Sequence, residues 1–328
     1  MGRRLEKLRV LVVGGAGYIG SHTVKLLRSQ GARVTVLDDL STGRRFLVQS
    51  DDFVEGDLGD RRLTDRLFSS GFDAVMHFAA FSIVGESVQL PLKYYHNNVG
   101  KTASLLESML GHDVERFIFS STAAVYGEPE EVPITEEHPR RPKNPYGRSK
   151  LMVEQMLVDA SDAHGMQYAV LRYFNAAGAD PSASIGESHE PETHLIPIVL
   201  QAAAGKREAV KLYGTDYPTA DGTCIRDYIH VNDLAAAHIL ALESLLDGND
   251  SCAYNLGCGQ GYSVRQVIET AKAVTGKDIT VVEEQRRKGD PAVLVASSDK
   301  IRKELGWSPD YDDLEAIIET AWKWHNRR

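Results

Sequence analysis

The apolar run Val10-Leu11-Val12-Val13 breaks directly into Gly14-Gly15-Ala16-Gly17-Tyr18-Ile19-Gly20, and a helical stretch follows over residues 21–29. An unbroken apolar run suits a strand, residues 8–13, that is covered on both faces of a parallel sheet. Glycines at 14, 17 and 20 let the turn close, let backbone amides approach a pyrophosphate, and let the helix pack on the sheet. The helix start then turns its partial positive charge towards the phosphates. Strand, glycine turn and helix in this order predict a dinucleotide-binding unit and commit the chain to an α/β fold.

The pattern continues. Residues 33–37 form a second strand, which ends at Asp38-Asp39. Asp38 follows Gly20 by about 20 residues, where a carboxylate meets the adenosine ribose hydroxyls. Its charge would repel a 2′-phosphate, which favours NAD over NADP; Arg44 and Arg45 nearby work the other way. Residues 53–56, 74–78, 116–119 and 170–173 read as four more strands. Six strands alternating with helices predict a Rossmann-type doubly wound parallel sheet. Ligands bind at the carboxyl edge of such sheets. There Phe78-Ala79-Ala80 offers small residues for close cofactor approach, and Ser120-Ser121-Thr122 offers hydroxyls. Asn97, in the opening of a helix over 94–109, is a further candidate cofactor contact.

Asn144-Pro145 signals another helix start, with asparagine as the cap and proline in the first position. Tyr146 and Lys150 then share one helix face. A phenol titrates near 10, so a phenolate at neutral pH needs about 3 units, roughly 4 kcal/mol, of help. A neighbouring cation gives help of that kind. The pair reads as a tuned acid/base beside the strand-end hydroxyls.

After Ala176 the texture changes to a Gly-, Pro-, Ser- and Thr-rich stretch over 176–224, with one helical piece at 195–205. Strands over 224–231 and 253–257 and helices over 232–246, 263–276 and from 314 complete the chain. The expected organisation is a cofactor domain over 1–176, rejoined by 226–254, and a smaller α/β substrate domain over 177–225 and 255–328.

The formal net charge of −9 argues against nucleic acid or an anionic membrane as the main partner. No stretch approaches the roughly 20 apolar residues of a membrane span. Cys224, Cys252 and Cys258 show no metal spacing and fit a reducing compartment, so cytoplasm is expected and no metal site is.

Six segments together resemble the extended short-chain dehydrogenase/reductase family. They are residues 15–23, Val84-Gly85-Glu86-Ser87, Tyr146-Gly147-Arg148-Ser149-Lys150, Leu171-Arg172-Tyr173-Phe174-Asn175, Arg226-Asp227-Tyr228-Ile229-His230 and Tyr254-Asn255-Leu256-Gly257. Within that family the likeness is to the branch that epimerises UDP-hexoses at C4. It implies a catalytic triad of Thr122, Tyr146 and Lys150, with Thr122 standing just before Ala123-Ala124-Val125-Tyr126-Gly127. The implied NAD contacts are Gly14, Gly17, Tyr18, Ile19, Gly20, Asp38, Asp39, Leu40, Ser41, Thr42, Gly43, Asp57, Leu58, Phe78, Ala79, Ala80, Ser82, Asn97, Tyr146, Lys150 and Phe174. The implied UDP-sugar contacts are Thr122, Asn175, His194, Leu195, Lys211, Leu212, Tyr213, Arg226, Arg287, Asp290 and Leu294. Guanidinium forks at Arg226 and Arg287 suit a diphosphate. The resemblance also implies a homodimer.

Three departures from the family pattern stand out. Val13 replaces a threonine, Ser82 stands where some relatives carry a lysine near the cofactor phosphates, and His194 and Leu294 replace sugar-side Asn and Tyr. A smaller residue at 294 leaves N-acetylhexosamine or pentose derivatives of UDP open as substrates. Sugar-nucleotide 4,6-dehydratases carry Asp-Glu after the triad threonine; Ala123-Ala124 counts against that reaction. A non-catalytic nucleotide sensor would have no need of the intact Thr122, Tyr146 and Lys150.

Overall fold

Val10, Leu11 and Val12 are fully buried, as the two covered faces of a central strand require. The computed structural model describes residues 5–287 and 289–327; residues 1–4 of the basic start, Lys288 of the basic turn, and Arg328 lie outside them. In chain order come β1 (Arg9–Val13), α1 (Tyr18–Ser29), β2 (Arg33–Asp38), β3 (Phe53–Glu55), α2 (Arg61–Phe68) and β4 (Ala74–His77). They are followed by α3 (Val84–Gln89), α4 (Pro91–Tyr94), a π-helical turn Tyr95–Gly100, α5 (Lys101–Leu110), β5 (Arg116–Thr122), α6 (Pro145–His164) and β6 (Gln167–Tyr173).

The seven-stranded sheet runs Cys252–Leu256, β6, β5, β4, β1, β2, β3. Val12 of β1 lies opposite Val36 on one side and Met76 on the other, both in parallel register. Strand order reverses between β1 and β4, the switch point where such sheets open a ligand crevice. Leu11, Val13, Phe117, Phe119, Val153 and Leu157 share the core of this unit.

Several predicted boundaries move, each for a local reason. The helix expected from residue 21 begins at Tyr18, because Gly17 is its extended N-cap (φ −83°, ψ 176°); the turn glycines obscured the first helical turn. The strand expected to stop at residue 119 runs through Thr122, so the three hydroxyls belong to β5 itself. The helix expected over 94–109 contains the π turn, a local widening often found at functional sites.

The chain divides into two units. The first holds the chain up to Gly127, Pro139–Arg172 and Ala235–Tyr254; the second holds Glu128–His138, Tyr173–Leu234 and the chain from Asn255 on. This corrects the expected division at 176, with a return at 226. The second unit contains β7 (Asn175–Ala177), α7 (Leu195–Ala203), β8 (Val210–Tyr213) and β9 (Ile225–His230). Next come α8 (Val231–Leu246) and β10 (Cys252–Leu256), which span both units, then β11 (Gly261–Ser263), α9 (Val264–Thr275), β12 (Val281–Glu284), β13 (Val293–Leu294), α10 (Asp299–Leu305) and α11 (Leu314–Asn326). The return starts later than expected because β9 pairs with β7, β11 and β13 inside the second unit.

Asp227 on β9 is fully buried and accepts from the amides of Cys258, Gly259 and Ala296 at 2.8, 3.1 and 3.0 Å. A Cβ on Gly257 would sit 2.3 Å from its carboxylate, which explains the glycine that closes the Tyr254-Asn255-Leu256-Gly257 segment. No helix among the described residues is long and apolar enough to cross a membrane.

Candidate active site

The first unit opens a cleft at the carboxyl ends of its central strands. Of the expected cofactor residues, Gly14, Gly17, Asp38, Asp39, Ser41, Thr42, Gly43, Leu58, Phe78, Ala79, Ala80 and Asn97 line it; Val13, Leu37, Gly56 and Phe81 complete it. The glycines act at close range. A Cβ on Gly14 would lie 2.5 Å from the Ala79 nitrogen, and one on Gly20 would lie 2.2 Å from the Gly14 oxygen. Gly17 caps α1 without a side chain, which leaves the helix start open to a phosphate. Asp38 accepts from Ala16 N and Leu40 N, both at 2.9 Å. Each carboxylate oxygen keeps a lone pair for a ribose hydroxyl. Burial raises the Asp38 pKa above the usual carboxylate value, opposed by those two amides. Glycine cradle, open helix start and paired-oxygen acceptor together fit an NAD molecule.

Other expected cofactor contacts sit differently. Tyr18 is buried edge-on to His22 at 5.4 Å, Gly20 is a packing residue, and Leu40 takes a left-handed conformation (φ 58°) at the Asp38 turn. Ile19 is half-buried on α1. Asp57 is engaged by Lys101 Nζ at 2.6 Å, and Ser82 is exposed. Phe174 belongs to the second unit, where its amide donates to Leu256 O at 3.3 Å.

The triad candidates occupy β5 and the first turns of α6. Asn144 caps α6 by accepting from Gly147 N at 2.8 Å, and Pro145 takes the first position, as predicted. Tyr146 is 8% exposed, Thr122 8% and Lys150 3%. Thr122 Oγ1 accepts from Ala124 N at 3.2 Å. Lys150 Nζ donates to Ser120 O at 2.7 Å and lies 4.7 Å over the Phe119 ring. Burial pushes the Lys150 ammonium down to about 7, and the Glu154 charge opposes the shift.

This has a consequence for stability. An unfolded chain keeps the Lys150 proton to its ordinary 10.5, whereas the folded protein releases it near 7. The native state therefore carries the full burial penalty below pH 7 and recovers as pH rises towards 10.5. Lys150→Met is expected to raise the melting temperature of cofactor-free protein at pH 6, with the gain shrinking above pH 7. A gain that grows with pH would contradict the buried-ammonium account.

Sequence reasoning missed the residues behind this face. Glu154, four residues after Lys150, is 2% exposed and accepts from Arg172 Nε at 3.0 Å and Nη2 at 2.8 Å. Ser121 Oγ adds a bond at 2.6 Å, and Arg172 Nη1 donates to Tyr126 OH at 2.9 Å. This network ties α6 to β5 and β6. Asn98, in the π turn, donates to Phe81 O and accepts from Phe81 N, both at 2.9 Å, and reaches Ser149 Oγ at 3.1 Å. The motif Leu171-Arg172 contained one signal; a partner four residues beyond the lysine was the other.

In the second unit, Arg226 Nη2 lies 3.4 Å from Asp290 Oδ1, and the register sets Leu294 opposite Arg226. Arg287 stacks on Tyr213 at 3.9 Å. Lys211 pairs with Glu284 at 3.1 Å, and Leu212 is buried in the core of the second unit, opposite Glu283 in the β8–β12 ladder. Asn175 donates to Asp227 O at 2.8 Å. His194 pairs with Glu187 and is the N-cap residue of α7, so Leu195 opens that helix.

A switch-point crevice lined by a glycine turn and an aspartate, together with a tyrosine and a buried lysine one helical turn apart on α6 of the same unit, defines a nicotinamide-dependent enzyme of the short-chain dehydrogenase/reductase type. The chain belongs to the NAD dependent epimerase/dehydratase family, whose model matches residues 10–257. It is 54% identical to the UDP-glucose 4-epimerase of Halalkalibacterium halodurans over 319 residues, covering 97% of this chain and 96% of that protein. A crystal structure of a UDP-glucose 4-epimerase matches with TM-score 0.96 and 50% identity, covering 98% of both chains. The Brucella ovis UDP-glucose 4-epimerase in complex with NAD matches with TM-score 0.94 and 49% identity, covering 96% of this chain and 98% of that one.

Proposed function

We propose that this protein interconverts UDP-glucose and UDP-galactose by transient oxidation at C4 on a retained NAD. The observation that carries this reading is the buried Lys150 one helical turn from Tyr146, with its ammonium bonded to Ser120 O on β5, the strand that ends at Thr122. The chain's half identity over nearly its whole length to UDP-glucose 4-epimerases supports the same choice of reaction. NAD would be held by the Gly14–Gly17 turn, Asp38 and the Phe78–Ala80 strand end, and when bound it supplies a hydride acceptor at C4 and gives the hydride back.

Tyr146 takes the proton from the 4-hydroxyl and later returns it to the same oxygen. Protonated Lys150 favours the Tyr146 phenolate, and the Thr122 hydroxyl holds the C4 oxygen in line. Inversion requires the 4-keto hexose to present its other face before the hydroxyl is reformed. The hexose must therefore be held loosely, and UDP must supply most of the binding energy. Arg226 and Arg287 are the groups that fit its diphosphate. Arg226→Ala is expected to raise KM for UDP-galactose by roughly 10–100-fold, from the loss of about 1.5–3 kcal/mol in a charged hydrogen bond, with kcat less affected. An unchanged KM would remove Arg226 from the diphosphate site.

The deciding experiment is incubation of purified protein with a panel of UDP-sugars. UDP-glucose formed from UDP-galactose is the expected result, and its absence would refute the reading. Turnover of the N-acetylated or pentose sugars in the panel reports on the room near His194 and Leu294. The protein is further proposed to be a homodimer. Val84 and Val88 on α3, Leu92 on α4 and Met152 on α6 are exposed by 44, 63, 78 and 46%, all on elements of the first unit. Light scattering should give twice the chain mass. Three free cysteines fit a cytoplasmic setting.

A further inference from the structure

Four side chains of the second unit converge on one point, and all but one of them have no role in the reaction proposed above. They are Glu187, His189, Glu192 and His194, and one donor atom from each lies within 4.8 Å of all the others. His194 is the exception, since the family resemblance also makes it a sugar-side residue. The two carboxylates are withdrawn from water: Glu187 is 4% exposed and Glu192 6%. Among the described residues, the ion partners of Glu187 are His189 Nδ1, at 2.9 Å, and His194 Nδ1. His189 Nδ1 is 3.9 Å from Glu192 Oε1. No lysine or arginine among the described residues pairs with Glu187.

Two carboxylates with two neutral imidazoles carry a net charge of −2, and either a divalent cation or two protonated histidines would balance it. Three observations favour the cation. Zinc bonds to nitrogen and carboxylate oxygen are about 2.0–2.2 Å long, so tetrahedral donors stand roughly 3.3–3.6 Å apart; the spacings of 2.9 and 3.9 Å lie on either side of that range, and the His194–Glu187 contact is the one that must open to admit the ion. His189 and His194 have the separation seen in the histidine pairs of structural zinc sites. Glu192 Oε1 is also oriented by the amides of Thr193 and His194 at 2.8 and 2.9 Å, the kind of outer support that fixes a metal ligand.

We propose that Glu187, His189, Glu192 and His194 form a structural site for a divalent zinc-like cation. Four protein donors close the coordination shell and leave no open position for water or substrate. The ion would act as a clasp on the segment 187–194. At one end Glu187 O accepts from Trp324 Nε1 of α11 at 2.8 Å, and Gly186 packs so closely on that indole that a Cβ would lie 2.6 Å from it. At the other end His194 stands at the N-cap position of α7. The metal would lock the start of α7, and Leu195 with it, to α11. The proposal does not depend on the reaction assigned above.

The test uses chelator-stripped full-length protein titrated with zinc chloride against a chromophoric chelator, and with cobalt chloride followed by visible absorption. One equivalent of zinc per chain, a raised melting temperature and a cobalt band of tetrahedral intensity are expected. Glu187→Gln and the double variant His189→Gln/His194→Gln should bind zinc about 100-fold or more weakly, beyond the loss typical of an outer-shell change. No uptake by the parent protein, or a full equivalent retained by both variants, would overturn the site. Should the variants fail to fold, the cobalt spectrum of the parent still decides, because a weak octahedral band contradicts the four-donor set.

Discussion

Tyr146→Phe is expected to lower kcat for UDP-galactose by about 10²–10⁴-fold, the contribution of a positioned proton donor and acceptor. The ring is retained, and at 8% exposure it keeps its place on α6, so folding and the first-unit cleft should survive. What is lost is the oxygen that exchanges a proton with the C4 hydroxyl. KM should change little, because the binding energy is assigned to the diphosphate. Retained NAD in the purified variant, read from its absorbance after denaturation, separates the two ways of losing activity. A variant that keeps its NAD and turns over within tenfold of the parent would remove Tyr146 from the acid/base role. A variant that has lost its NAD would show that the phenol acts through the cofactor.

The sequence carried the first unit's sheet and cleft well because glycine is a steric signal. Gly14 and Gly20 have backbone within 3 Å of where a Cβ would stand, so no other residue serves, and their spacing was visible. Asp38 was legible for a similar reason: a carboxylate at a strand end, at a set distance from the turn, has few structural uses. Asn144 and Pro145 announced α6 through local capping chemistry.

What escaped depends on contacts between distant parts of the chain. Glu154 looked like one more charge on a helix, and only the approach of Arg172 from β6 shows it to be buried. The π turn that aims Asn98 at Phe81 has no hydrophobic period of its own. The division between units is not legible in the sequence, because β9 has the composition of any buried strand, and its partners, β7, β11 and β13, lie on both sides of it in the chain. The Glu187–His194 cluster lies within eight residues, but the segment is irregular backbone with no period that would announce the donors' convergence within 4.8 Å.

Arg172→Met is expected to destabilise the protein by about 3–5 kcal/mol, the cost of leaving one partner of a buried ion pair behind. Arg172 is 4% exposed and Glu154 2%, and two hydrogen bonds join them, so removal of the guanidinium strands a carboxylate between β5 and α6. Ser121 and the half-exposed Arg140, at 3.3 Å, compensate only in part. Denaturant unfolding measures the loss. The double variant Arg172→Met/Glu154→Leu should recover most of it, since a buried pair replaced by apolar side chains is often neutral or better. Catalysis should not recover in the same way. The Glu154 charge holds the Lys150 pKa up against burial, so its removal lets the ammonium lose its proton below its present value of about 7. The alkaline limb of the kcat profile should then move to lower pH in the double variant while stability returns. A profile that stays in place would make Arg172 and Glu154 a brace for the sheet alone; a shifted profile at restored stability makes them positioning residues for Lys150.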